Sequence, residues 1–256
     1  EKKAGGAPLN VAYHLTKLGI KTSLITKIGN DENGKQLLAI LKEKKLDISN
    51  IKTGMNDETG VVIATPNASG DMNYLIKENA AWDFIDGDST YEHLVNETGY
   101  FIFGSLAARQ TVTRNTLFDL LDTKSQKVFD INLRKPFVHQ RHIEHQLLKA
   151  DILKMNCDEL NIVSAWYNKL TEQEDQLLFL QDKFQIPTII TTCGAAGALV
   201  NTNGAFFYND GIAVTVADTI GSGDSFLAGF ISKVIQGAET REALEFAGTL
   251  GAFVAT

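Results

Sequence analysis

The chain has 256 residues, enough for one large α/β domain or two small ones, and its 44% hydrophobic and 21% charged content is ordinary for a globular protein. A net charge of −7 argues against a basic face, so neither nucleic acid nor an anionic membrane is expected as a partner. No apolar run is long enough to span a bilayer, no secretory signal opens the chain, and two cysteines, Cys157 and Cys193, are too few for a disulfide framework or a cysteine zinc site. A cytoplasmic setting is the expectation, and the glycosylation sequons at Asn67-Ala-Ser69 and Asn96-Glu-Thr98 are then chance matches.

Gly5-Gly-Ala-Pro-Leu-Asn-Val-Ala12 is a glycine-rich turn that runs into a helix with Val11, Leu15 and Leu18 on one face. Pro8 suits the first helical turn, where Asn10 can donate to and accept from a polyhydroxylated ligand. Apolar β-like runs then alternate with helix-period segments. They are Thr22–Ile28 then Asn33–Lys44, Tyr100–Gly104 then Thr113–Asp122, and Lys127–Ile131 then Arg141–Ala150, followed by Ile152–Met155, Thr171–Phe184 and Thr188–Thr192. Several of these strands are almost wholly apolar, as strands covered on both faces are. The alternation predicts a mostly parallel sheet between two helix layers, with ligands at the carboxyl ends of the strands.

Gly29-Asn-Asp-Glu-Asn-Gly-Lys35 nearly fits a phosphate-binding P-loop, but Gln36 stands where a Ser or Thr must hold Mg²⁺. A strand-to-helix turn capped by Asp31 is the expected reading. From Gly60 to Ile85 the rhythm breaks: two apolar runs flank Asn67-Ala-Ser-Gly-Asp71, a hairpin signal. It predicts a small β flap beside the main sheet, either a lid over a cleft or an edge hairpin without function.

Polar groups arrive at three strand ends. Asp130-Ile-Asn-Leu-Arg134 could be a surface turn, but its position at a strand's carboxyl end favours a ligand contact. In Asn156-Cys-Asp-Glu159, Glu159 either holds Mg²⁺ through water or caps a helix. Thr192-Cys-Gly-Ala-Ala-Gly197 is either a place where a nucleotide nears the backbone or a plain hairpin turn. His139, His142 and His145 fan round a helix and read as a solvated face. Last comes Asp218-Thr-Ile-Gly-Ser-Gly-Asp-Ser-Phe226, preceded by an alternating run, Ala213–Ala217, that reads as a strand. It is followed by the apolar stripe of a helix at Phe226, Leu227, Phe230, Ile231, Val234 and Ile235. A glycine turn at a helix N-terminus is an anion site, where a carboxylate serves better as a base than as a phosphate ligand; taken alone, the motif reads equally as an ordinary turn with Asp224 favouring the helix dipole.

In this order and spacing the motifs resemble the ribokinase/PfkB family of carbohydrate kinases over essentially the whole chain. The Gly5–Ala12 and Asp130–Arg134 motifs look most like bacterial fructokinases. The resemblance implies a ribokinase-like three-layer fold in one domain, residues 1–256, with a lid from about 1–6 and 52–80. It also implies that the family's opening strand and closing helix and strand lie outside these residues. It implies transfer of the γ-phosphoryl of ATP to a sugar hydroxyl, with fructose the leading acceptor. Alternatives are ribose, a 2-keto-3-deoxy sugar acid, a nucleoside, or a silent sugar-binding regulatory protein. Asp224 is then the base and the amides of Gly221, Ser222 and Gly223 the anion hole; Gly5, Gly6, Asn10, Arg109 and Arg134 face the sugar. Asn156, Thr192, Gly194, Gly197 and Gly248 line the nucleotide, Glu159 serves Mg²⁺ through water, and Asp218 with the backbone at Ile220 serves a monovalent cation such as K⁺. Pairing of two copies through the flap is also implied.

Overall fold

The computed structural model describes residues 3–66 and 72–256. Helix α1 (Ala7–Lys17) starts where Gly6, at φ 128°, turns the chain through a region open to glycine, and Pro8 follows inside its first turn. Strand β1 (Thr26–Gly29), helix α2 (Glu32–Glu43) and strand β2 (Ile51–Gly54) form a separate unit, β1 and β2 pairing in parallel. Its turn is the near-P-loop segment. There Asp31 accepts the amides of Gly34 and Thr59, each at 2.7 Å, so the aspartate is a cap and carries no phosphate.

Strands β3 (Val62–Pro66) and β4 (Met72–Ile76) pair antiparallel as the flap, Val62 opposite Ile76. The hairpin turn expected at 67–71 lies outside the described residues. Residues 3–6 carry no strand, and residues 1 and 2 of the N-terminal stretch expected for the lid lie outside the described residues.

The main sheet follows helix α3 (Ser89–Asn96). Strand β5 (Tyr100–Gly104), helix α4 (Thr111–Leu121), strand β6 (Gln126–Asp130), helix α5 (Gln140–Leu147) and strand β7 (Ile152–Asn156) alternate as the sequence predicts. Helices α6 (Cys157–Ala165) and α7 (Gln173–Phe184) then lead to strand β8 (Thr188–Thr192). Strands β9 (Ala198–Thr202) and β10 (Ala205–Asn209) complete the sheet, in the order β10-β9-β8-β7-β6-β5. β5 to β8 are parallel; β9 and β10 return antiparallel at one edge. Helices α8 (Ser222–Ile235) and α9 (Thr240–Val254) close the chain.

Period-two alternation sorts the sheet's side chains between two cores. Phe129, Leu153, Met155 and Ile189 face α4 to α7, whereas Val128, Ile152, Ile190 and Val200 face α1, α8 and α9. Each such side chain, almost wholly removed from water, stabilises the fold by roughly 1.5–3 kcal/mol. This sandwich holds the carboxyl ends of β6 and β7 beside the start of α8, where Asp130 and Lys154 act on Asp224. The strand expected at Ala213–Ala217 does not form. Residues 211–220 are exposed and carry neither helix nor strand, held through the amides of Ala217 and Asp218 on the carbonyl of Ala255. The alternating pattern has no neighbouring strand to pair with, and without one a period of two yields no ladder.

Candidate active site

Gly221 lies at φ 83°, which only glycine adopts cheaply, and turns the exposed 211–220 segment into α8. Ser222, Gly223 and Asp224 are then the first three helical residues, whose amides have no intrahelical acceptor. Those of Gly221, Gly223 and Asp224 have no partner among the described residues. The amide of Ser222 does have one: it donates to the carbonyl of Thr219 at 3.2 Å. The anion hole expected at Gly221–Gly223 is corrected accordingly. Ser222 contributes turn geometry, its hydroxyl donating to the carbonyl of Gly251 at 3.0 Å, and the open amides at this helix start are those of Gly221, Gly223 and Asp224.

Asp224 Oδ2 accepts from Asn10 Nδ2 at 2.7 Å, across the contact of α1 with α8. Burial pushes this carboxyl up to about 6, the negative charge of Asp130 adds to the rise, and Asn10, Lys154 and Arg134 oppose it. An aspartate with that environment is ionised at neutral pH yet basic enough to take a proton, which is what a general base needs. Asn10, expected on the sugar, thus also orients the base. Arg134 reaches Asp224 electrostatically, while Gly5 and Gly6 are exposed ahead of α1, with open space where a side chain would stand.

Other expected contacts are otherwise engaged. Arg109 is buried, its Nε and an Nη donating to the two carboxylate oxygens of Asp83 at 2.7 and 2.6 Å. The same Nη reaches the carbonyl of Lys77 at 2.7 Å, and the guanidinium stacks over Trp82. Arg109 therefore ties the end of the flap to the turn after β5, and its other Nη has no partner among the described residues. Glu159 is the partner of Asn156 in a capping box on α6: the Asn156 side chain accepts the Glu159 amide at 2.8 Å, and Glu159 Oε2 accepts the Asn156 amide at 2.9 Å. Its other oxygen accepts the amide of Leu133 at 2.7 Å, joining the turns after β6 and β7. Burial pushes its carboxyl above the ordinary range, opposed by the amides of Asn156 and Leu133 and by Lys154. With both oxygens held, direct coordination of a metal does not fit, whereas a water-mediated contact does.

Thr192 closes β8, and Gly194 and Gly197 form a tight hairpin turn into β9, Thr192 paired with Ala198. Gly194 faces open space; Gly197 abuts the backbone of Asn209 and Gly211, and Gly248 on α9 abuts the side chain of Asn209, so these two glycines serve packing. A disulfide joins Cys157 and Cys193, Cα atoms 5.2 Å apart, tying the turn after β7 to the turn after β8. Asp218 is exposed and turns its carboxylate onto the amide of Ile220 at 2.9 Å. Among the described residues no cluster of His, Cys, Asp or Glu could hold a metal ion unaided, and no helix is long and apolar enough to cross a membrane.

Fold and site together define an α/β phosphotransferase with an activated carboxylate beside bare helix-start amides. The chain belongs to the pfkB family of carbohydrate kinases, whose model matches residues 1–256. It is 29% identical over 273 residues to the Arabidopsis thaliana protein named "Probable fructokinase-5", covering all of this chain and 83% of that one. It is 27% identical over 262 residues to an ATP-dependent 6-phosphofructokinase of Thermoanaerobacterium thermosaccharolyticum, covering 99% and 79%. Among solved structures, a Vibrio cholerae fructokinase bound to fructose, ADP and calcium superposes with a TM-score of 0.84 at 23% identity, over all of this chain and 86% of that one. The ribokinase-like fold expected from the motifs is thus what the chain has, and the protein is an ATP-using sugar kinase.

Proposed function

We propose that the chain phosphorylates D-fructose at its primary 6-hydroxyl, giving fructose 6-phosphate and ADP. The observation that carries the chemistry is Asp224, its carboxyl pushed up to about 6, one residue beyond the open amide of Gly223. Fructose is favoured because relatives spanning the whole chain are named fructokinases. ATP with Mg²⁺ supplies the phosphoryl group and neutralises charge on its phosphates. Asp224 takes the proton of the attacking hydroxyl as the new O–P bond forms and the bond to the departing ADP oxygen breaks. The amides of Gly221, Gly223 and Asp224, with the dipole of α8, stabilise negative charge on the group in transfer. Asn10 holds the carboxylate towards the cleft, and Arg134 adds positive charge beside it.

Glu159 serves Mg²⁺ through a water, Asp218 with the backbone at Ile220 serves a monovalent cation such as K⁺, and Gly194 leaves room for the nucleotide. Val61, Val62, Ile63 and Leu75 expose apolar surface on the flap, which supports pairing of two copies there. The nucleotide requirement supports a cytoplasmic setting. A coupled ADP-release assay across hexoses, pentoses, sugar acids, nucleosides and fructose 6-phosphate tests the reading. The highest kcat/KM is expected with fructose, and a higher value with any other acceptor refutes that assignment.

A further inference from the structure

Lys154 is a lysine where a strand sandwiched between two helix layers has no local reason to carry one. It sits on β7, flanked along its face by Ile152, and period-two alternation turns it towards α1 and α8. Its cross-strand neighbour is Asp130 on β6, and Nζ donates to Asp130 Oδ1 at 3.0 Å, both side chains less than a tenth exposed. Two packed apolar residues would stabilise the sheet as well as a buried ion pair or better. The pair also leaves hydrogen-bonding capacity over. An ammonium has three donors, Asp130 takes one, and Asp130 Oδ2 is buried without a partner among the described residues.

The direction of the side chain says where that capacity points. A Cβ built on Gly223 would stand 3.2 Å from Lys154 Nζ, so the ammonium abuts the peptide that carries an open amide of the collar. Burial works against its charge, but Asp130, then Glu159 and Asp224, outweigh burial and hold the lysine above its ordinary range, so it stays cationic. Glycine at 223 keeps the space between cation and collar clear. A fixed positive charge in a site largely closed to water is suited to developing negative charge, because nothing must reorganise when the charge appears.

We propose that Lys154 is a catalytic residue of this kinase, its ammonium donating to a non-bridging oxygen of the phosphoryl group held at the Gly223 amide. This rests on the kinase reading, and its test leaves the sugar out. Lys154→Met and Lys154→Arg are made in the full chain, with folding followed by circular dichroism and thermal melting. Calorimetry, at a pH well above the titration of Asp224, compares binding of ADP with Mg²⁺ in the absence and presence of aluminium fluoride, a mimic of the phosphoryl in transfer. Lys154→Met is expected to lose about 100-fold of the fluoride-dependent tightening while affinity for ADP alone stays within about threefold. Lys154→Arg, which keeps the charge, recovers part of it. An undiminished fluoride effect in Lys154→Met overturns the proposal, as does a wild type that binds ADP no tighter with fluoride. If Lys154→Met does not fold, Lys154→Arg decides: a displaced cation must cut the fluoride effect about tenfold with ADP binding unchanged, and an unchanged effect overturns the proposal. A wild type that phosphorylates no sugar would refute the proposed function and leave this contact standing.

Discussion

Asp224→Asn should make the protein more stable while nearly abolishing its activity. The carboxyl is pushed from 3.8 up to about 6 by burial first and by Asp130 next, so the folded state holds its proton more tightly than the unfolded chain does. At 1.36 kcal/mol per pH unit that rise is worth about 3 kcal/mol. Because the folded value is the higher one, the protonated aspartate favours the fold below pH 3.8, and this contribution is lost as pH rises through about 6. At neutral pH the ionised aspartate is therefore a cost that an uncharged, near-isosteric amide removes. The amide oxygen still accepts from Asn10, but its new N–H₂ meets Arg134 and Lys154, which lowers the expected gain to about 1–2 kcal/mol. Denaturant titrations of both proteins at several pH values measure it. The variant should lead above about pH 6 and lose that lead towards pH 4, while kcat falls by about 10²–10⁴ and ATP binding persists. A variant less stable than the wild type at neutral pH, or a lead independent of pH, would refute the account of Asp224 as a strained base.

The same titration should appear in turnover: kcat/KM falls on the acid side of about pH 6, where Asp224 becomes protonated. Asn10→Ala removes the hydrogen bond that opposes the rise, so the acid limb of that profile should move to higher pH; an unmoved limb would show that the bond is not made in solution. Arg109→Met leaves Asp83 buried and unpaired, and a loss of about 3–5 kcal/mol in denaturant titration is expected. Arg109→Lys should recover only part, because one ammonium cannot match the fork on both Asp83 oxygens. Ser222→Ala deletes one hydrogen bond to Gly251, so stability should fall by about 1 kcal/mol with kcat nearly unchanged; a large loss of kcat would return Ser222 to the anion site.

The parallel sheet was legible because strands covered on both faces leave an unambiguous apolar signature. Tyr100–Gly104 and Thr188–Thr192 fall where their composition puts them. The Ala213–Ala217 pattern is as regular and yet forms no strand, since alternation records what a segment could pair with and supplies no partner. The antiparallel return of β9 and β10 had no helix-period segment before it to announce a crossover, and only the glycine turn at 194–197 hinted at its direction.

At the site, the residues that could be read were those whose backbone does the work. The turn at Gly221 and the helix start at Ser222–Asp224 follow from local rules, because a glycine turn and the first turn of a helix fix their geometry wherever the rest of the chain goes; that Thr219 takes the amide of Ser222 does not. Side-chain roles depend on what stands opposite, and there the reading failed in both directions. Arg109 looked like a cation for the substrate, but Asp83 lies 26 residues away in sequence and only the fold reveals that it engages Nε and one Nη of the guanidinium. Lys154 was passed over because a single lysine in an apolar run suggests nothing until Asp130 is found beside it in the register and Gly223 in front of it. The one signal present in the letters was the misfit itself, a charge in a strand otherwise apolar on both faces. Burying a charge is costly enough that such a misfit is better treated as a pointer to chemistry than as noise.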